Sequence, residues 1–432
     1  MRDYFVIEGG HPLRGEVFPS GNKNAALPAL AATLLTDEPV ILRNLPAIRD
    51  VETMGMLLEM MGVHITYHDP QTWEVHAKEL RLPESGLDRE QFQAIRGSIL
   101  VAGPLLARLG RLQIPAPGGD VIGRRRVDTH FLAFRQLNCD VSVSDGQFCL
   151  CARGLRGADI LLDEASVTGT ENAVMAAVFA QGTTILRNAA SEPHVQDLCN
   201  MLNSMGATIE GVGTNTLLIE GVNRLHGTDF ALSSDHIEVG SYLALAAATR
   251  GELLIRNAVP QHLRMILMTF ERLGVMAEVR GDDLFVPAEQ SLEIVPDMGG
   301  AIPSISDAPW PAFPADLMSI ALVLATQCEG VVIFHEKMFE SRLFFVDKLI
   351  PMGPRIVLCD PHRALVYGPS KLQGDLMESP DIRAGMAMLI ASLAAVGTST
   401  IHNIRQIDRG YERIEAKLNP LGAHIERWQV DG

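Results

Sequence analysis

Gly182-Thr183-Thr184-Ile185-Leu186-Arg187-Asn188 returns as Gly251-Glu252-Leu253-Leu254-Ile255-Arg256-Asn257 and, in shorter form, as Val40-Ile41-Leu42-Arg43-Asn44. Each copy reads as a short strand closed by an asparagine. A small-residue apolar helix stands before it, and an amphipathic helix after it runs into Gly and a second strand. The helix ends are Met61-Gly62-Val63-His64-Ile65, Met205-Gly206-Ala207-Thr208-Ile209, Leu273-Gly274-Val275 and Leu421-Gly422-Ala423-His424-Ile425. Asn44, Asn188, Asn257 and Asn403, with equivalent points near residues 116 and 335, recur about every 70 residues, so six units fill the chain.

The two helix types predict layers. Met54, Leu57, Leu58 and Met61 fall at i, i+3, i+4 and i+7, as do Val195, Leu198, Cys199 and Leu202, the pattern of a helix lying on a sheet. The helices around Ala25–Ala32, Tyr242–Ala248 and Met386–Ser392 are apolar nearly all round and rich in Ala, so they are expected to be buried. The fold class expected is α/β, with central helices inside and sheets outside.

A chain of 432 residues exceeds one ordinary core, and two domains are the default expectation. With 36 basic against 52 acidic residues the net charge is −16, which argues against a nucleic-acid or anionic-membrane binder. The six cysteines form no CxxC pair and have no His-rich spacing, so neither zinc site nor disulfide framework is suggested. The amino-terminal residues lack a signal-peptide core, and the longest apolar run, Gly385–Gly397, is too short to span a bilayer. A cytoplasmic protein is expected.

The chemistry collects where the buried helices begin. Thr168–Glu171 and Asp235–Glu238 have capping-box spacing. Lys23, Arg96 and Arg383 do not cap N-termini, because a cation there opposes the helix dipole unless an anion lies between. Three such cations at equivalent repeat positions point to an anionic ligand. The glycine- and arginine-rich stretch 117–128, Pro-Gly-Gly-Asp-Val-Ile-Gly-Arg-Arg-Arg-Val-Asp, reads as a mobile anion-binding loop that also presents Asp120.

Four motifs carry a resemblance: Ser20-Gly21-Asn22-Lys23-Asn24-Ala25-Ala26-Leu27-Pro28, Pro117-Gly118-Gly119-Asp120-Val121-Ile122-Gly123, Pro311-Ala312-Phe313-Pro314-Ala315-Asp316 and Asp408-Arg409-Gly410-Tyr411-Glu412. In this order and spacing the chain resembles, end to end, the enolpyruvyl transferases named UDP-N-acetylglucosamine 1-carboxyvinyltransferases. The shikimate-pathway sister family carries its lysine in an Asp-Lys-Ser type motif that is absent here. The resemblance implies a two-domain inside-out α/β barrel of six βαβαββ repeats, three per domain. Residues 1–22 with 235–432 would form one domain and residues 23–234 the other, with the loop 117–128. It implies transfer of the enolpyruvyl group of phosphoenolpyruvate to the 3′-hydroxyl of UDP-N-acetylglucosamine, with release of phosphate, in peptidoglycan and cell-wall synthesis. No metal or organic cofactor is implied.

Carried over by residue, Lys23, Asn24, Arg125, Arg383 and Arg409 would hold phosphoenolpyruvate. Asn24, Arg96, Arg125, Arg126, Val127, Asp128, Thr129, Ser166, Val167, Asp316 and Met338 (through its backbone) would hold the nucleotide sugar. The catalytic set would be Lys23, Asp120, Asp316 and Arg409. Asp316 would take or orient the acceptor's proton, and Asp120 would supply the acid for the methylene carbon. A non-catalytic nucleotide-sugar sensor would be expected to lack one of these four, and none is missing; the same transfer to another hydroxyl acceptor is the remaining alternative.

The sequence departs from the family pattern at Arg126, where a proline is common, at Thr168 in place of a glycine and at His236 in place of an arginine. Asp120 stands where many members carry the cysteine alkylated by fosfomycin. A carboxylate is a far poorer nucleophile than a thiolate, so the protein is expected to be intrinsically insensitive to this drug. Incubation with fosfomycin should leave activity unchanged over time, and a covalent adduct on Asp120 by mass spectrometry would refute the expectation.

Overall fold

The computed structural model describes residues 3–83, 87–119 and 126–429. They divide into two compact units: residues 3–20 with 234–429, and residues 21–119 with 126–233. Each has its own apolar core, one drawn from residues 5–17 and 237–425 and the other from residues 25–232.

Six sheets carry the repeat. Five have four strands in one pattern: an edge strand runs parallel to the strand ending at the Asn-type break, and a hairpin continues the sheet antiparallel. Asp159–Leu161 thus pairs with Thr183–Arg187, which pairs with Thr216–Glu220, which pairs with Thr208–Glu210. With the helices Val167–Ala177 and Pro193–Ser204 this segment is a βαβαββ unit. The sheet of Arg111–Pro115, Gln147–Ala152 and Cys139–Ser144 has three strands among the described residues. The first strand, Tyr4–Glu8, lies between Thr398–His402 and His424–Trp428, antiparallel to both, and so fills the place of a last hairpin strand in the sixth repeat.

Helix burial follows the sequence pattern. All residues of His236–Ala248 and Met318–Ala325 are buried, as are all but Ala394 of Ile382–Ala394, and these three helices pack on one another. In the other unit, Lys23–Ala32, Ala102–Leu109 and Val167–Ala177 take the inner place. Small residues permit this packing: a Cβ on Gly103 would lie 2.5 Å from the carbonyl oxygen of Asn172, and one on Gly240 would lie 2.7 Å from Leu317. The outer helices bury one stripe each, including Met54, Leu57 and Leu58 on Arg49–Met60 and Val195, Leu198, Cys199 and Leu202 on Pro193–Ser204. All six cysteines are free thiols. Among the described residues no helix is long and apolar enough to cross a membrane.

The Arg-Asn pair has a physical role. Asn44, Asn188, Asn257 and Asn403 all take the left-handed conformation, with φ between 49° and 58°, which Asn tolerates better than other residues with a Cβ. The side-chain amides of Asn44, Asn188 and Asn403 donate to the carbonyls of Leu232, Leu162 and Ser379 at 2.9, 3.0 and 2.8 Å. Each acceptor is the first residue beyond a parallel edge strand. After Leu162 and Ser379 the chain enters a buried helix at the caps Ser166 and Asp381. The preceding arginines clamp the same edge: Arg43 forks onto Asp229, Arg187 onto Asp159 and Arg256 onto Glu16. Each acid faces the residue two places before its arginine in the parallel register.

The fifth repeat has Glu336 at this point. Its carboxyl is fully enclosed, and burial together with a hydrogen bond to Asp307 pushes its pKa up to about 9 against the opposing pull of Arg342. Asp307, also enclosed, accepts from the backbone N–H groups of Lys337 at 2.5 Å and Met338 at 3.2 Å.

Two tests follow from these contacts. Asn188→Ala should cost roughly 1–3 kcal/mol in urea unfolding, from left-handed strain plus a lost hydrogen bond, and Asn188→Gly clearly less; equal losses would show that backbone conformation is not the cause. Glu336 binds a proton in the folded state between its ordinary pKa of 4.5 and about 9, so its stabilising contribution is complete below that window and is lost as pH rises through it. Wild-type unfolding free energy should therefore fall more between pH 6 and pH 9 than that of Glu336→Gln, whose amide cannot titrate; parallel pH profiles would remove Glu336 from the account.

Candidate active site

Buried apolar helices expose their polar groups at their first turns. Asn22 caps the helix Lys23–Ala32, its side chain accepting from the backbone N–H groups of Asn24 at 2.8 Å and Ala25 at 3.3 Å. Lys23 follows, at the positive end of the helix dipole. Its Nζ lies 2.7 Å from Asp50 Oδ2, and the two side chains are 10% and 5% exposed. Asp50 comes from the first turn of Arg49–Met60. The expectation that a cation here requires an external anion is thus corrected in part: Lys23 has a protein carboxylate as counter-ion.

Arg96 opens a 3₁₀ segment, Arg96–Val101, and its Nη2 donates to the carbonyl of Arg126 at 3.0 Å. The Arg126 guanidinium reaches Asp163 at 2.8 Å and Asp128 at 3.3 Å, and Thr129 Oγ1 donates to Asp163 at 2.7 Å. The Thr129 hydroxyl first, and Arg126 after it, hold the Asp163 carboxyl below its usual pKa. Arg96, Arg126, Asp128 and Thr129 are therefore brought together, with Val127 between, while Arg126 is already answered by acids. Asp120 and Arg125 lie outside the described residues.

Ser166 caps Val167–Ala177 by accepting from Gly169 N at 3.2 Å, so the cap lies two residues before the Thr168 expected from the capping-box spacing. Thr168 meets the enclosed His130 instead, at 3.1 Å from its Nε2. Asn172 fixes the tautomer. Its carbonyl oxygen accepts from Gly103 N at 2.7 Å, so its amide nitrogen donates, to Ile99 O and to His130 Nδ1, both at 2.9 Å. His130 then carries its proton on Nε2 and donates to Thr168. Burial, reinforced by Arg96, lowers its pKa to about 3, so the ring is neutral.

In the unit of residues 3–20 and 234–429, Asp316 sits in the turn Ala315–Leu317 that leads into Met318–Ala325. Arg342 Nη2 donates to its Oδ1 at 3.1 Å, and Arg383 Nε donates to its Oδ2 at 3.0 Å. Asp316 is 29% exposed, while Arg342 and Arg383 are 4% and 5% exposed. Asp381 caps the helix carrying Arg383, accepting from Arg383 N at 2.8 Å and Ala384 N at 2.9 Å. Burial pushes the Arg383 pKa down, but Asp316, Tyr411 and Asp235 outweigh it and the net direction is upward. Arg383 Nη1, Arg342 Nη1 and Arg342 Nε are enclosed without a hydrogen-bond acceptor among the described residues.

Other expected residues are placed less centrally. Arg409 ends the segment Ile404–Arg409 with Nη1 on Gln406 Oε1 at 2.9 Å. Met338 has its N–H committed to Asp307, so a backbone contact would use its carbonyl. His236 is the first residue of its helix and enclosed, and burial, then His262 and Arg383, lower its pKa to about 3. Asp235 caps that helix, yet Glu238 does not close a capping box: it accepts from Ser20 N and Lys417 Nζ, both at 2.8 Å.

Arg342, Asp50, Glu336 and Asp307 were not singled out by the sequence. Arg342 stands alone in Glu340-Ser341-Arg342-Leu343 without a motif. The one signal available was the fifth repeat, whose break carries a glutamate where four others carry asparagine.

The chain matches the family model described as EPSP synthase (3-phosphoshikimate 1-carboxyvinyltransferase) over residues 7–418. It is 59% identical to the UDP-N-acetylglucosamine 1-carboxyvinyltransferase of Bradyrhizobium diazoefficiens, covering 98% of this chain and 97% of that protein. It is 53% identical to the protein of the same name from Treponema denticola, covering 99% of each. In structure it is similar to the enolpyruvyl transferase NikO from Streptomyces tendae, with a TM-score of 0.87 at 24% identity over 100% of both chains. An EPSP synthase from Acinetobacter baumannii superposes with a TM-score of 0.76 at 17% identity, over 99% of this chain and 100% of that one. The two structures speak for the fold, the two-domain α/β architecture of enolpyruvyl transferases. Taken with the near-complete sequence matches, they mean that this chain belongs to the UDP-N-acetylglucosamine 1-carboxyvinyltransferase family of enolpyruvyl transferases.

Proposed function

We propose that this protein transfers the enolpyruvyl group of phosphoenolpyruvate to the 3′-hydroxyl of UDP-N-acetylglucosamine and releases phosphate, in the cytoplasm, as an early step of peptidoglycan synthesis. The observation that carries the reading is Asp316, a partly exposed carboxylate aimed by two enclosed guanidiniums at the start of a buried helix.

The chemistry assigns the roles. The acceptor oxygen bonds to C2 of phosphoenolpyruvate while its proton leaves and the methylene carbon gains one. Phosphate then departs from C2 and a proton from the methyl group, which restores the double bond. The first step needs a base at the hydroxyl and an acid at the carbon. Asp316 takes the base or orienting role: it is a partly exposed carboxylate that two enclosed guanidiniums hold in place at the helix start. Asp120 takes the acid role.

The charges of phosphoenolpyruvate fall to Lys23, Arg125, Arg383 and Arg409, with Asn24, and those of the nucleotide sugar to Arg96 and the run Arg125–Thr129, with Ser166, Val167 and the Met338 backbone. The unanswered N–H groups of Arg383 and Arg342 suit an additional anionic oxygen. Asp50 beside Lys23 adds that phosphate binding competes with an internal ion pair.

Phosphate release from phosphoenolpyruvate should depend strictly on UDP-N-acetylglucosamine; tight binding of the nucleotide sugar without turnover would favour a non-catalytic sensor. Asp316→Asn should lower kcat by roughly 10²–10⁴-fold while calorimetric affinity for UDP-N-acetylglucosamine changes only a few-fold, and near wild-type kcat would remove Asp316 from the chemistry.

A further inference from the structure

A second polar cluster lies at the end of the first strand. Glu8 closes the strand Tyr4–Glu8, His11 follows in the next loop, and His424 opens the strand His424–Trp428 as the direct antiparallel partner of Glu8. His11 Nε2 is 3.5 Å from Glu8 Oε1, and His424 Nδ1 is 3.5 Å from Glu8 Oε2. Donor atoms of all three side chains lie within 4.8 Å of one another.

Two imidazoles and one carboxylate make a donor set for a divalent transition-metal ion, and imidazole favours zinc, copper or nickel over calcium or magnesium. Ligands held 2.0–2.2 Å from a tetrahedral zinc ion are about 3.3 Å apart, close to the separations found here. His11 supplies a second indication. The side chain is 41% exposed, but its Nε2 is enclosed, faces Glu8 Oε1 at 3.5 Å and makes no hydrogen bond among the described residues, and a metal between the two would give both a ligand bond. The frame is already fixed: Gly9 N donates to Gly397 O at 3.1 Å and Gly10 N to Leu393 O at 2.9 Å, beside the paired strands. Only the rings must adjust. His11 and His424 are stacked, with centroids 4.3 Å apart and planes at 10°, so one ring turns about its Cβ–Cγ bond to converge on an ion.

We propose that Glu8, His11 and His424 form a binding site for a divalent transition-metal ion of the zinc type, its remaining coordination completed by water. Such an ion ties the strand Tyr4–Glu8 to the strand His424–Trp428 and stabilises the folded state by an amount that grows with the logarithm of its concentration above Kd. The site holds none of the residues assigned to phosphoenolpyruvate or the nucleotide sugar.

The test is calorimetry with zinc chloride on the full chain in a buffer free of chelators, alongside thermal melts. A single ion per chain is expected, with affinity falling at least about tenfold in His11→Gln and in His424→Gln, because each removes one of three protein ligands. The unfolding midpoint should rise at about 100 μM zinc in the wild type and not in either variant. Phosphate release without zinc should be unchanged in both. Absence of zinc binding by the wild type overturns the proposal, and so does undiminished binding by the double variant, which would place the ion elsewhere.

Discussion

A helix that is apolar on every side can present polar groups only at its ends, and this constraint organises the whole molecule. His236–Ala248, Met318–Ala325 and Ile382–Ala394 have no wet face, so their first turns carry Asp235, Asp316 and Arg383. The aligned peptide dipoles at those turns add positive potential, answered in part by the caps Asp235 and Asp381. Charged chemistry therefore has a place in each repeat, and it is placed by packing before any ligand contributes. The Asn-type breaks serve the same end, since they fix where the chain leaves a sheet and begins the approach to a buried helix.

The electrostatics of the Asp316 cluster are held in tension. Enclosing two guanidiniums is costly without compensation, and one partly exposed carboxylate answers both, with Tyr411 and Asp235 adding support for Arg383. Arg342 has a more distant acid as well, with Nε 3.9 Å from Glu336, whose own proton is retained by burial. Two enclosed guanidiniums thus share one carboxylate, with Asp235 and Asp381 close to Arg383, inside a chain of net charge −16. The apolar helices around them keep the effective dielectric low, which strengthens each of these interactions.

Much of the fold was legible because it is repetitive. Recurrences of strand, break (Asn in four of six) and amphipathic helix marked the units, and uniform apolar character marked the inner layer. The left-handed asparagines were visible as breaks, although their amide bonds to neighbouring strands were not, because a sequence does not show which carbonyl lies opposite. The candidate site divides the same way. Lys23, Asp316 and Arg383 could be read from motifs and from their opposition to the helix dipole. Asp50, Arg342 and Glu336 could not, since each acts through a partner on a different element and fills an ordinary local position. Arg126 was visible as charge, but its commitment to Asp163 depends on two loops meeting. The neutral state of His236 comes from enclosure, which composition does not report.

The placement of Tyr4–Glu8 bears on the order in which the molecule can be assembled. These residues leave the ribosome long before their partners, Thr398–His402 and His424–Trp428, are made. The core of residues 25–232 is complete in the nascent chain long before that point, whereas the other core needs residues 5–17 and 237–425 together. During synthesis the opening strand is an unpaired edge, and its alternation of Phe5 and Ile7 with Tyr4 and Val6 is a pattern that other strands can template on. Joining residue 429 back to residue 3 through a short linker, with new termini elsewhere, would turn this longest-range pairing into a local one.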